Sequence, residues 1–220
     1  KQIMTNYQTI IFDLDGTLTD SQTGIINSLT YAFKQMGLPL PAQSQLKKFI
    51  GPPLSQSFQD FCGLNDIETQ KIISYYRQYF SDKGWKENQL LPGARELLAK
   101  LKQAGKTLLV ASSKPEVFVK QILDHFEIDS YFTVIAGASL DDSRSQKSAV
   151  IAHALKTAKI EELKGCVMVG DRKHDVEGAK VQGLPTIGLL LGFGSRQELE
   201  ESGAIAIAEN FQDLEEILLN

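Results

Sequence analysis

The sequence predicts an α/β protein: a doubly wound, mostly parallel sheet interrupted once by an all-helical insertion. Two observations predict it. Short apolar runs without polar alternation recur along the chain and trade places with amphipathic helical periods, the rhythm that βαβ units with right-handed crossovers produce. From about Ser21 to Leu91 the rhythm breaks, because helical periods continue there with no convincing strand between them. A length of 220 residues agrees with one domain carrying a large insertion.

The elements follow in order. Thr9-Ile10-Ile11-Phe12 reads as a strand buried on both faces, ending at Asp13-Leu14-Asp15-Gly16-Thr17. In the insertion, Ile25, Leu29, Ala32, Phe33 and Met36 form one apolar helix face. Leu54, Phe58 and Phe61 form a second, and Ile72, Ile73, Tyr76 and Phe80 a third, so a small helical bundle is expected. Gly37-Leu38-Pro39-Leu40-Pro41 punctuates this unit and Leu91-Pro92-Gly93 marks the return to the sheet. Thereafter helical faces at Ala94, Leu97, Leu98 and Leu101, at Val119, Ile122, Leu123 and Phe126, and at Val150, Ile151, Ala154 and Leu155 alternate with strands expected at 108–111, 132–136, 166–169, 186–190 and 204–208.

With 42% hydrophobic and 23% charged residues the chain has the composition of a protein that buries a real core. A net charge of −4 provides no positive field to gather a nucleic acid polymer. Cys62 and Cys166 lie far apart among apolar neighbours, which suggests reduced, buried thiols and a cytoplasmic setting. The longest apolar runs, such as Leu189-Leu190-Leu191, are a few residues long, and the first residues carry no signal-peptide apolar region. A soluble protein with no membrane segment is expected.

Ligands of open parallel sheets bind beyond the carboxyl ends of the strands, and here those ends are polar. The first delivers Asp13 and Asp15, the second Ser112, Ser113 and Lys114, and the 166–169 strand Gly170-Asp171-Arg172-Lys173-His174-Asp175, while Lys147 starts the helix after the third. Asp13 and Asp15 would face opposite ways on a regular strand, but a chain leaving the sheet at Gly16 can turn both toward one cavity. One carboxylate can then attack an electrophile covalently while its neighbour exchanges protons with the leaving group and later with water. With Asp171 and Asp175 added, up to four carboxylates share one spot, which like-charge repulsion forbids without protons or a cation. Oxygen-only ligands favour Mg²⁺. A cation, a lysine and small hydroxyl residues around a nucleophilic aspartate make a receptor for a phosphoryl group: Lys147 supplies charge, Ser112 a hydroxyl, and N–H groups after Asp13 and around Ser113 complete the cradle. The Gly16-Thr17 turn lets backbone approach the phosphate.

Asp13-Leu-Asp-Gly-Thr17 resembles the first motif of the haloacid dehalogenase superfamily of phosphohydrolases. Ser112 resembles its second motif, Lys147 its third and Gly170-Asp171-xxx-Asp175 its fourth, at spacings that span the chain. The helical insertion after the first motif is similar to the family's C1 cap. Phe49-Ile-Gly-Pro-Pro-Leu54 and Ser113-Lys114-Pro115 are most similar to the phosphoglycolate phosphatase and 5′-nucleotidase branch. The resemblance implies a Rossmann-like core of residues 1–20 and 92–220 and a helical cap of 21–91. It makes Asp13 the nucleophile that forms an aspartyl-phosphate and Asp15 the general acid and base. Mg²⁺ would be held by Asp13, the backbone carbonyl of Asp15 and Asp171, with Asp175 a ligand or an orienting group, while Ser112 and Lys147 would bind phosphate. Gly16, Ser113 and Lys114 are expected to be further substrate contacts. Many relatives carry Lys-Pro-x-Pro at the third motif, whereas this chain reads Ser143-Arg-Ser-Gln-Lys147-Ser, so Lys147 is the expected cation and Arg144 the fallback.

Other polar residues have plainer readings beside the functional ones. Lys47, Lys48 and Arg77 can reach a substrate carboxylate or sugar from the cap, or lie on the surface. Asp175 can serve only as a helix cap. His174, between charged neighbours, is expected to be exposed, and His125 and His153 to be structural; Trp85, Tyr75, Tyr76 and Tyr79 are expected in the cap core. The expected reaction is Mg²⁺-dependent hydrolysis of a small phosphorylated metabolite by a monomer or homodimer. Alternatives are a phosphomutase or other phosphoryl transferase, a phospho-acceptor switch and a silent binding protein. Asp15 argues against a metal-free dehalogenase, and the insertion together with Asp15 against a switch.

Overall fold

The computed structural model describes residues 6–220; residues 1–5, at the head of the expected core range, lie outside the described residues. Strand β1 (Thr9–Phe12) is followed by a two-residue strand β2 (Thr19–Asp20), then helices α1 (Gln22–Gln35), α2 (Gln43–Leu46), α3 (Leu54–Cys62) and α4 (Asp66–Asp82), and a second two-residue strand β3 (Gln89–Leu90). Helices and strands then alternate as α5 (Ala94–Gln103), β4 (Thr107–Pro115), α6 (Glu116–His125), β5 (Val134–Ala138), α7 (Lys147–Thr157), β6 (Cys166–Gly170), α8 (Lys173–Val181), β7 (Thr186–Leu189), α9 (Arg196–Ser202), β8 (Ala206–Ala208) and α10 (Phe211–Leu219). Six parallel strands form the sheet in the order β5-β4-β1-β6-β7-β8, the Rossmann-like doubly wound arrangement expected.

Both faces of this sheet are covered, which is why its strands read as unbroken apolar runs. Ile11, Leu109 and Met168 pack on one face against Val150, Ile151 and Ala154 of α7 and Ala179 of α8. Ile10, Phe12, Val110 and Val169 pack on the other with Leu98 of α5, Ile122 of α6 and Leu214 of α10. Ile10, Ile11 and Phe12 are fully buried, each stabilising the fold by about 1.5–3 kcal/mol.

The insertion shares a core with the second of these faces. Leu29 and Phe33 of α1 lie in it with Ile72, Ile73 and Phe80 of α4, and the Phe58 ring sits 5.9 Å from that of Phe33 and 5.0 Å from that of Phe49. Helix α4 starts at a capping box, with the Asn65 side chain accepting from the Glu68 N–H and the Glu68 carboxylate from the Asn65 N–H.

Five local expectations change. Strand β4 runs on to Pro115 rather than ending at residue 111, so Ser112, Ser113 and Lys114 lie within it, past a shift in register after Ala111. A strand does occur before Leu91: β3 pairs antiparallel with β2, Thr19 opposite Leu90, where the chain leaves and re-enters the core. Two residues are too few to show alternation in sequence. Strand β5 begins at Val134 rather than at residue 132, because Phe132 follows a short 3₁₀ turn and packs edge-on against Phe12. Strand β8 begins at Ala206 rather than 204. Phe61 is 45% exposed, its ring meeting Phe49 only at an edge.

The sheet order places a topological switch at β1: the chain runs from β1 to β4 and β5 on one side, then returns to β6 on the other. Phe12 pairs with both Val110 and Val169, so Asp13, Ala111-Ser112 and Gly170-Asp171 emerge at one level.

Candidate active site

Asp13, at the carboxyl end of the central strand, is buried, and its Oδ1 accepts a 2.7 Å hydrogen bond from Lys147 Nζ. Lys147 is the first residue of α7; its buried ammonium also donates to the Ala111 carbonyl at 3.0 Å and pairs with Asp175 Oδ1 at 3.0 Å. Asp175 sits in the first turn of α8, and its Oδ2 accepts from the N–H groups of Asp171 and Arg172, 3.1 Å each. It therefore caps that helix and orients Lys147 together. Gly170 leaves room for it, since a β-carbon there would collide with the Asp175 carboxylate.

Asp171 is held from two sides, by the Phe193 N–H on Oδ2 at 2.9 Å and by Thr17 Oγ1 on Oδ1 at 3.3 Å. Gly16, with φ +81°, makes the turn that brings Thr17 there, and a side chain at Gly16 would strike the Asp171 carboxylate. Asp13, Asp171 and Asp175 thereby bring carboxylate oxygens within 4.8 Å of one another. Three buried carboxylates against the single ammonium of Lys147 leave two formal negative charges. Burial, and then the neighbouring Asp175 carboxylate, push the Asp13 carboxyl well above its ordinary range; burial and Asp13 do the same to Asp171. Burial opposes the charge on Lys147, but Asp13 and Asp175 outweigh it and the ammonium is held charged.

Asp15 leaves this cluster. Its Oδ1 pairs with Lys114 Nζ at 2.9 Å. Lys114 lies at the end of β4, where the pairing with β5 shifts register after Ala111, and its N–H donates to Ser112 Oγ at 3.2 Å. Beyond this pair a cavity opens under the insertion. Its apolar wall is Ile25, Phe49, Ile73, Tyr76, Phe80 and Phe118; Asp15, Ser113, Lys114 and Arg77 supply polar groups. Ser113 Oγ and Arg77 Nε are buried without a partner among the described residues.

Asp13, Lys147, Asp171 and Asp175 are thus gathered tightly, Ser112 and Gly16 lie at the same strand ends, and Asp15, Ser113 and Lys114 border the adjoining cavity. Lys47 and Lys48 are not gathered: both are exposed on a 3₁₀ turn and neither lines that cavity. Arg144 turns away, donating to the Gly137 carbonyl at 3.0 Å, so the ammonium that reaches Asp13 belongs to Lys147. His174 is half-buried rather than exposed, and burial lowers it to about 4. Both thiols are free, Cys166 buried and Cys62 half-buried. Tyr76 is buried and borders the cavity, whereas Tyr75, Tyr79 and Trp85 are only half-buried.

Sequence reasoning missed two supports. The Gly192-Phe193-Gly194 turn wraps the Asp171 carboxylate so closely that a side chain at Gly192 would collide with it; two glycines just after a strand were the available signal. Arg172 grips Glu198 through Nε at 3.0 Å and donates from Nη1 to the Ile50 carbonyl at 2.8 Å, tying the Asp171 loop to the insertion. No local pattern announces that contact.

Residues 10–189 match the haloacid dehalogenase-like hydrolases. The chain belongs to that family. It is 42% identical over 193 residues to a 5′-nucleotidase of Pseudomonas aeruginosa, covering 88% of this chain and 87% of that one. It is 41% identical over 214 residues to the tyrosine-protein kinase PtkA of Mycobacterium tuberculosis, covering 96% of this chain and 72% of that one. The crystal structure of a predicted phosphatase from Clostridium acetobutylicum superposes with a TM-score of 0.94 at 43% identity, covering 97% and 98% of the two chains. This hydrolase is an enzyme of the family's phosphatase kind. Among its described residues no helix is long and apolar enough to cross a membrane.

Proposed function

We propose that this hydrolase cleaves small phosphomonoesters, of the phosphoglycolate or 5′-nucleotide class, with Mg²⁺ bound and through an aspartyl-phosphate on Asp13. The observation that carries the reading is the Asp13 carboxylate: Oδ1 is held by Lys147, while Oδ2 has no protein donor among the described residues and is the oxygen free to attack phosphorus. The donor set suits a hard divalent cation, because it is all oxygen and carries two uncompensated negative charges. Asp13, Asp171 and the Asp15 carbonyl would hold the ion. Asp175 spends both oxygens on protein donors and acts by orienting Lys147. When bound, Mg²⁺ supplies positive charge to phosphoryl oxygens.

The protein's own groups do the rest. Lys147 exchanges one of its three acceptors for a phosphate oxygen, and the unpartnered Ser113 hydroxyl donates to another. Asp15 passes a proton to the leaving oxygen and takes one from the water that later cleaves the aspartyl-phosphate. Residues 21–91 act as a cap over this reaction, with α4 forming the wall that meets the leaving group. Two free thiols suit a reducing cytoplasm.

The test is phosphate release from a panel of phosphomonoesters with and without Mg²⁺. Wild-type enzyme is expected to turn over one class when Mg²⁺ is present, and Asp13→Asn to lose about 10⁴-fold or more in kcat with an unchanged circular dichroism spectrum. Comparable turnover by Asp13→Asn would overturn the assignment. A second reading, transfer of the phosphoryl group to a hydroxyl other than water, draws on the likeness to the mycobacterial relative named a tyrosine-protein kinase. It predicts labelled phosphate on an added tyrosine peptide rather than in solution.

A further inference from the structure

Lys114 was expected to touch substrate, but the structure gives its ammonium two partners of another kind. One is Asp15 Oδ1 at 2.9 Å, in an ion pair whose side chains are 7% and 9% exposed. The other is the face of Phe80, whose ring centre lies 4.8 Å from Nζ. Phe80 belongs to α4 of the insertion and is itself fixed, stacked on Tyr76 at 5.7 Å and set edge-on against Phe118 of α6 at 5.1 Å. The N–H of Lys114 on Ser112 Oγ anchors the backbone that carries the ammonium. A substrate anion that used Lys114 would have to share its ammonium with the Asp15 carboxylate.

We infer that Lys114 is a positioning residue for Asp15 and that Phe80 supplies the other half of its seat. The inference rests on the phosphatase reading above and adds how its proton-transfer group is aimed. With Oδ1 pinned, Oδ2 is the Asp15 oxygen left without a protein donor among the described residues. Asp15 lines the cavity, and proton exchange is assigned to this unpinned oxygen. In the first half-reaction an Asp13 carboxylate oxygen bonds to phosphorus as the bond from phosphorus to the ester oxygen breaks, and a proton passes from Asp15 Oδ2 to that departing oxygen. In the second, Oδ2 takes a proton from water as the water oxygen bonds to phosphorus and the Asp13–phosphorus linkage breaks. Because Phe80 comes from the insertion and Lys114 from the sheet, the seat is complete only while α4 lies against the core. Aim of the acid and closure over the site are therefore one event.

The test compares two leaving groups. Nitrophenolate departs without a proton, whereas an alkoxide needs one, so misaimed Asp15 harms alkyl esters selectively. Expected for Lys114→Met is a loss in kcat/KM of about 10²-fold on glycerol 2-phosphate and about threefold on p-nitrophenyl phosphate. Lys114→Arg, which keeps both the charge and the stack, is expected to recover most of the difference. Phe80→Leu is expected to shift the ratio in the same sense by about tenfold. The ratio of the two esters does not depend on the folded fraction, so partly unfolded preparations still report. An unchanged ratio in Lys114→Met and Phe80→Leu, or a rise in KM alone, overturns the inference while leaving the phosphatase reading in place. Failure of the wild-type enzyme to release phosphate from either ester overturns both.

Discussion

The carboxylate cluster and the α4 wall that faces it are built by different means. In the cluster, strand register does the positioning: Phe12, Val110 and Val169 stand side by side, so the residues that follow them meet. Its side chains are then locked by several bonds each, with Lys147 using three acceptors and Asp175 accepting three contacts. The wall is held by packing. Tyr76 and Phe80 sit in the shared apolar core, and among the described residues Arg77 makes one hydrogen bond, from Nη1 to the Leu140 carbonyl at 3.3 Å. Densely bonded charge suits chemistry that must not vary; a packed wall with spare donors suits a choice among leaving groups.

Three substitutions can break or sharpen this contrast. The largest effect is expected for Lys147→Met, which leaves Asp13 and Asp175 buried without their counter-charge. Unfolding free energy should fall by about 3–5 kcal/mol in urea titrations, along with nearly all turnover. A small loss would show that the cluster is less rigidly charged than its geometry implies.

Asp171→Asn should do the opposite for the metal-free protein. Burial and Asp13 raise the Asp171 carboxyl, so the folded chain holds this proton more tightly than the unfolded chain does. A raised acid keeps its contribution below the unfolded value, ~4, and loses it as pH climbs through the folded value. At pH ~8 the variant should therefore unfold later than wild type by on the order of 1 kcal/mol, with the gap closing toward pH ~4. Added Mg²⁺ should stabilise wild type and not the variant. A stability gap that fails to grow with pH would contradict the raised acid.

The smallest effect belongs to the wall. Arg77→Met should cost less than about 0.5 kcal/mol of stability, yet reorder kcat/KM across a phosphomonoester panel, with KM for the preferred ester raised about tenfold. An unchanged ranking would remove Arg77 from substrate choice.

Much of the cluster was legible before folding because each of its carboxylates lies within a few residues of a strand end, and strand ends announce themselves. Gly16 and Gly170 were legible as motif members, though not as the clearances they provide for Asp171 and Asp175. Strands β2 and β3 were not, since two residues carry no period. Lys47 and Lys48 looked equal to Arg77 as candidates, because a helical pattern does not say which flank turns inward at the end of an insertion; the structure turns Arg77 toward the cavity and leaves both lysines exposed.

The amino-acid order by itself determined the alternating sheet and the delivery of Asp13 and Asp171 to strand ends, because periodicity and motif spacing are local properties; that Lys147 rather than Arg144 meets Asp13, and that Asp175 both caps its helix and holds Lys147, was decided by the fold. Only the tertiary structure decided that Asp15 leaves the cluster for Lys114, that Phe80 of a helix 34 residues upstream covers that ammonium, and that Arg172 reaches Ile50. Those contacts join segments distant in the chain, and their geometry exists only once the insertion has packed on the sheet.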